Sequence, residues 1–173
     1  MITEEKYVRV VQEGGHLSFF DRFVVATGIT ELIIISPWIT HLESERIKLS
    51  QIVYTINKEE VPTMIITRAP QYELLNIDAL KLFAESRWTT IYYNNDLHAK
   101  VYMCRCDPFG FALVSSANLS GRATRALEIG VFIEGKGHGC KIIDELALLG
   151  KYDIPGRAHT RLHKQRERGT AVY

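Results

Sequence analysis

The sequence predicts an α/β fold, a mixed and mostly parallel sheet flanked by helices. Two short β-branched runs, Glu31 to Ser36 and Thr63 to Thr67, have the length and composition of strands buried on both faces. An amphipathic stretch lies between them, and the alternation repeats through a further run at Thr89 to Tyr93, which is the pattern of strand–helix–strand units.

In chain order, Tyr7 to Val11 suits either an edge strand or a helical turn. A helix is predicted from about His16 to Thr27, stopped by Gly28. After the first buried strand, Thr40-His41-Leu42-Glu43 reads as a capping box that opens a helix with the apolar stripe Ile47, Ile52, Val53 and Ile56. Strand, helix and strand then imply a right-handed parallel crossover. Leu74, Ile77, Leu80 and Phe83 space a second helix ahead of the third strand. The second half changes character: Leu97 to Cys106 and Phe111 to Ser116 flank Asp107-Pro108-Phe109-Gly110, a type I turn with Pro second and Gly fourth, so a hairpin is expected. Glu128 to Glu134 is another strand, and Ile142, Ile143, Leu146 and Leu149 mark a closing helix that ends near Gly150.

This organisation places one domain over residues 1–153 and a basic tail over 154–173, as expected for a chain of 173 residues. With 46% hydrophobic and 24% charged residues the chain is neither disordered, collagenous nor a disulfide-stapled miniprotein. Met1 to Lys6 carries acids where a secretory signal needs a basic segment, and no apolar run approaches the roughly 18 residues of a membrane span, so a cytoplasmic protein with no membrane partner is expected. Cys104, Cys106 and Cys140 are then reduced thiols; with His138 they also number four candidate zinc ligands, but their spacing matches no usual zinc module and buried free thiols are the default.

Charge is uneven. Residues 1–97 hold 9 Lys/Arg against 13 Asp/Glu, and residues 98–173 hold 12 against 7. A basic second half suits a polyanionic partner or a solvated face. The tail, with Arg157, Arg161, Lys164, Arg166 and Arg168 against Glu167, suits a protein surface such as a second chain, or nucleic acid.

The chemistry-bearing residues follow. On a strand, residues two apart share a face, so His98 and Lys100 are expected side by side, about 6.6 Å apart at the backbone. Ser116 and Asn118 repeat that spacing in the partner strand, and Glu128 opens the next. This set, His98-x-Lys100, Ser116-x-Asn118 within Ser115 to Ser120, and Glu128 within Leu127 to Val131, resembles the signature of the phospholipase D superfamily. Ile35 to Ile39 and Tyr92 to Lys100 are similar to that superfamily's phosphodiesterases too, and the likeness covers roughly residues 30–134. Two positions depart from the pattern: Arg105 stands where the superfamily has Asp, with Asp107 two residues on, and Ser115 stands where it has Gly.

The resemblance implies a phospholipase D-like fold and a metal-independent phosphodiesterase, most simply a nuclease, with no cofactor. A neutral imidazole at His98 attacks phosphorus, and Glu128 holds its other nitrogen as N–H. Lys100 and Asn118 bind the non-bridging oxygens, with Ser116 assisting. The leaving oxygen needs an acid. Since the chain has a single His-x-Lys, the resemblance implies a homodimer whose two His98 rings meet across the twofold axis. An acid in cis would have to come from His16, His41, His138, His159 or His163.

Around this set, Trp38, after Ser36-Pro37 at a strand's carboxyl end, suits base stacking or core packing. Ser36 lines the pocket or caps a turn. Arg122 and Arg125 grip flanking phosphates or are ordinary surface arginines. The competing reading is a non-catalytic subunit that holds nucleic acid or scaffolds a larger complex; by analogy with nuclease parts of prokaryotic restriction and defence systems, a motor or targeting partner is expected.

Overall fold

The computed structural model describes residues 6–42, 46–70, 76–107, 109–136, 140–154 and 160–162. Its elements are β1 (Lys6–Gln12), α1 (Gly15–Val25), β2 (Ile29–Ile35), α2 (Leu49–Lys58), β3 (Thr63–Thr67), α3 (Ile77–Ala84), β4 (Thr89–Tyr93), β5 (Val101–Cys106), β6 (Phe109–Ser115), β7 (Ile129–Lys136), α4 (Lys141–Leu148) and β8 (Thr160–Leu162). The strands form one eight-stranded sheet in the order β1-β7-β6-β5-β2-β3-β4-β8.

The sheet is mixed and flanked by helices, as the sequence predicts, but less of it is parallel. Only β2–β3 and β3–β4 pair in parallel, where a helix supplies each crossover; the other five pairings are antiparallel. Hairpins dominate the second half because short connections can join only antiparallel neighbours. Residues 6–12 resolve as an edge strand, paired along their whole length with β7. Three residues of the C-terminal segment, Thr160–Leu162, pair with β4 of the same chain. Among the described residues no helix is long and apolar enough to cross a membrane.

The central strands read as continuous apolar runs because both sides of the sheet are covered. Leu32, Ile34, Ile65, Tyr102, Leu113 and Phe132 face α1, α2 and α3 in one core. Ile33, Ile35, Met103, Ala112 and Ile133 face α4 in the other. In the first core Phe19 and Phe20 of α1 lie with ring centroids 5.8 and 5.6 Å from that of Tyr102. This packing fixes the centre of β5.

Three expected boundaries move, each because a partner is taken elsewhere. The first crossover helix begins at Leu49 and not near Thr40. Ile39 bridges Leu119, and the Thr40 N–H donates to the Leu119 carbonyl, so this segment is drawn into extended pairing. The cap is supplied by Lys48, whose N–H donates to Gln51 Oε1 at 2.7 Å. Glu43 of the expected capping box and Leu74 of the second helix lie outside the described residues. The strand expected from Leu97 begins at Val101, since its neighbours stop there: β2 ends at Ile35, opposite Val101, and beyond the Ser115 N–H to Lys100 carbonyl bond β6 offers no further ladder. The hairpin turn is also tighter than predicted. Phe109 and Gly110 belong to β6, with Gly110 opposite Arg105, so the strand takes in two residues expected in the turn.

Candidate active site

The site lies at the end of the sheet where β2 and β3 finish, the carboxyl end at which open α/β sheets bind ligands. After β2 the chain turns through Pro37 and Trp38, and a buried amide clamps that turn. Asn76 Nδ2 donates to the Pro37 carbonyl at 3.1 Å, Asn76 Oδ1 accepts from the Ile39 N–H at 2.9 Å, and Thr67 Oγ1 donates to the same Pro37 carbonyl. Ser36 joins this turn to the one after β6: its hydroxyl donates to the Trp38 carbonyl at 2.8 Å and accepts from the Leu119 N–H at 3.0 Å. Ser36 is fully buried and lies beneath the cleft, not on its lining.

Between these turns is an open cleft of about 510 Å³. Trp38 and Thr40 line it from one segment, Asn118 and Ser120 from the facing one, and Arg122, Ala123, Ala126 and Glu128 complete it. The two segments are stitched by the Ile39–Leu119 bridge and by the Gly121 N–H to His41 carbonyl bond. Tyr102 supports the second segment from below; its buried hydroxyl donates to the Ala117 carbonyl at 2.8 Å, and burial pushes its pKa far up.

The sequence-predicted residues gather next to this cleft. Lys100 Nζ donates to the His98 carbonyl at 2.8 Å, so the ammonium folds back over the residue two before it. The two therefore sit together without being neighbours on a strand face. The ring of His98 is exposed and among the described residues makes no hydrogen bond. The Lys100 carbonyl accepts from the Ser115 N–H, which ties this segment to Ser116. Ser116 Oγ donates to Glu128 Oε2 and accepts from the Ile129 N–H at 3.1 Å. The carboxylate expected on His98 is thus bonded to Ser116 within this chain. Asn118 Oδ1 is buried with no partner among the described residues, an acceptor open to water or to a donor group. Arg122 is exposed on the cleft; Arg125 is exposed just beyond the turn Gly121–Thr124.

Both departures from the sequence pattern have local explanations. Arg105 lies five residues beyond Lys100, about 17 Å at strand rise, so it is far from the cleft residues. It pairs there with Asp144 of α4 and approaches Glu31 at 3.9 Å, docking the helix on the sheet. The Ser115 hydroxyl donates to the Ile129 carbonyl at 3.2 Å and accepts from the Ala117 N–H at 3.0 Å, closing the turn in place of glycine freedom.

The other candidates separate from the site. Cys104 and Cys106 face the first core with sulfurs 3.5 Å apart, while Cys140 is buried in the second; the sheet divides them, so these thiols do not form one zinc site. Burial pushes the Cys104 thiol up, whereas the hydrogen bond from Cys104 lowers Cys106. Of the histidines weighed as an acid in cis, His16 is buried, and burial lowers its pKa to about 4 against a weaker opposing effect of the Ser120 backbone. It cannot carry a proton near neutrality. His41 is exposed, and His138, His159 and His163 lie outside the described residues.

Sequence reasoning missed Arg68. Its guanidinium carbon lies 5.2 Å from the centroid of the Trp38 ring, and its Nε donates to the Leu97 carbonyl at 3.2 Å, beside His98. The signal was available: Arg68 directly follows β3, at the carboxyl end of a parallel strand.

No family model matches the sequence, and no curated protein matches it. Solved structures do match. The crystal structure of Nuc from Salmonella typhimurium, a phospholipase D family member, superimposes with a TM-score of 0.66 at 16% identity over 90% of this chain and 97% of that one. NucT from Helicobacter pylori gives 0.61 at 13% identity, over 89% and 98%. TrmBL2, an archaeal chromatin protein whose structure shows a novel mode of DNA binding, gives 0.54 at 15% identity, over 87% of this chain and 52% of that one.

Proposed function

Because the chain has the phospholipase D fold, we propose that it is a metal-independent phosphodiesterase, most simply a nuclease, working as a homodimer in the cytoplasm. The observation that carries this reading is the linked set at the cleft: Lys100 on His98, Lys100 on Ser115, Ser116 on Glu128, and Asn118 on the cleft lining, where its side-chain N–H groups can donate to a phosphate. In the reaction, the neutral His98 imidazole of one copy attacks phosphorus and forms an N–P bond. The P–O bond to the leaving group breaks, and that oxygen takes a proton from the imidazolium of the other copy. A water molecule, deprotonated by the same second imidazole, then displaces His98 and releases the phosphate monoester. Lys100 and Asn118 hold the non-bridging oxygens as charge grows on them, and Glu128 and Ser116 order the turn beside them.

Two features support the dimer. The chain has a single His-x-Lys pair, and His16, buried and neutral, does not serve as the acid. Next to the site, Val10, Val131 and Val114 lie directly opposite one another across three strands on the side of the sheet that α4 covers only in part. Val10 is 69% exposed, and Ile129, adjacent to Glu128, is 60% exposed. An apolar sheet face continuous with a half-built site suits a second copy of the same chain. The basic second half and the segment 154–173 favour a nucleic-acid backbone as substrate, and a motor or targeting subunit belongs to the same reading.

The likeness to TrmBL2 favours a second reading, a non-catalytic subunit that holds nucleic acid. One experiment separates them. Purified protein and His98→Ala are incubated with labelled single- and double-stranded DNA and RNA in excess chelator, with solution mass measured in parallel. Cleavage by a dimer, lost in the variant while binding persists, is the expected result. Binding without cleavage in both proteins selects the second reading, and an active monomer overturns the shared site.

A further inference from the structure

We infer that the cleft beside Trp38 is a nucleobase pocket, in which the indole stacks on an unpaired base next to the scissile phosphate and so selects single-stranded substrate. This rests on the nucleic-acid reading above and adds what the cleft recognises. The cleft's size, about 510 Å³, falls within the range of small-ligand sites, and it opens directly onto Asn118 and Glu128. Apart from Trp38, the apolar part of its lining is Ala123 and Ala126, whose small side chains leave room for a flat ring. Thr40 and Ser120 belong to the same lining; Ser120 Oγ accepts from the Ala123 N–H at 3.3 Å and Thr40 Oγ1 donates to the His41 carbonyl at 3.5 Å, which leaves the one a donor and the other an acceptor for a base edge.

The indole is held for this purpose. Arg68 lies over the ring, 5.2 Å from its centroid, and Trp38 itself lines the cleft. The same guanidinium bonds the Leu97 carbonyl, one residue from His98, which couples the platform's position to that of the nucleophile. Arg68 also makes the ring's environment electropositive where a phosphodiester must pass. A base within a duplex is already stacked and paired. To enter this cleft with its phosphate at His98 it must leave the helix, at a cost that a single strand does not incur.

The test uses His98→Ala protein, which leaves the strand intact, and a short DNA strand carrying 2-aminopurine at one position, a fluorophore quenched on stacking. Quenching on binding is expected, with affinity for this strand falling roughly 5- to 150-fold when Trp38→Ala is added, the loss of one base stack. Trp38→Phe should retain quenching and most of the affinity, which guards against a folding defect in the alanine variant. Affinity for the same strand bearing an abasic site, or annealed to its complement, should not change. Equal loss on the abasic strand, or no quenching with intact binding, overturns the pocket. Intact, Trp38-dependent stacking by a wild-type protein that cleaves nothing overturns the phosphodiesterase reading and leaves the pocket standing, whereas failure to bind any strand overturns the pocket.

Discussion

His16 should make the fold acid-sensitive by a calculable amount. The ring lies in the first turn of α1, fully buried, with no hydrogen-bond partner of ordinary geometry on either nitrogen among the described residues. Burial lowers its pKa from 6.5 to about 4. As pH falls, the unfolded chain therefore takes up the proton first. The stability His16 contributes is complete above about pH 6.5, is lost progressively as pH falls towards 4, and is constant below that. At 1.36 kcal/mol per pKa unit, the full shift amounts to about 3 kcal/mol, a large fraction of the 5–15 kcal/mol typical of a domain. His16→Leu removes the titration while keeping a neutral side chain of similar bulk. Urea unfolding at pH 7.5 and pH 4 should show the wild type losing about 3 kcal/mol more than this variant over the interval. Carboxylates titrate in the same window, but they do so in both proteins and cancel in the difference. Equal losses in the two proteins, or an imidazole resonance of His16 titrating near 6.5, would refute the reasoning.

Tyr102→Phe removes the buried hydroxyl that holds the Ala117 carbonyl between Ser116 and Asn118. Stability should fall by about 1–3 kcal/mol, and because the turn carries the groups proposed to meet phosphate, the kcat of the proposed cleavage should fall by up to about 10²-fold with little change in KM; a variant unchanged in both would show that Tyr102 does not position the turn. Gly135→Ala should destabilise by about 1–3 kcal/mol, since an added Cβ meets Cys140, its Cβ at 2.7 Å and its sulfur closer still, where α4 docks on the sheet. An unaltered melting temperature would mean that α4 yields there at no cost.

Local chemistry made much of this protein legible from its residues. The β-branched runs at 31–36, 63–67 and 89–93 form strands because they are short, bounded by turns and rich in residues whose branched Cβ disfavours helix, and β3 and β4 begin and end where the pattern does. The order of His98, Lys100, Ser116, Asn118 and Glu128 was readable too, since residue type and spacing carry the chemistry. What spacing cannot express is which backbone groups already have partners. Thr40 looks like a helix cap, but its N–H is bonded to Leu119, 79 positions away. Leu97 to Lys100 looks like strand, but the neighbouring strands end before it. Arg105 departs from the superfamily's Asp, and here it pairs with Asp144 of α4.

The sequence by itself determined the alternation of strands and helices and the order of the candidate site residues, because propensity, hydrophobic period and side-chain chemistry act over a few residues. Only the tertiary structure decided the strand order, the antiparallel majority of the sheet, the bond between Glu128 and Ser116, and the meeting of Trp38, Arg68 and Leu97. Each of these is a hydrogen bond or ring contact between residues far apart in the chain. Such pairings are chosen by competition among all the groups that could satisfy them, and no local window contains the competitors.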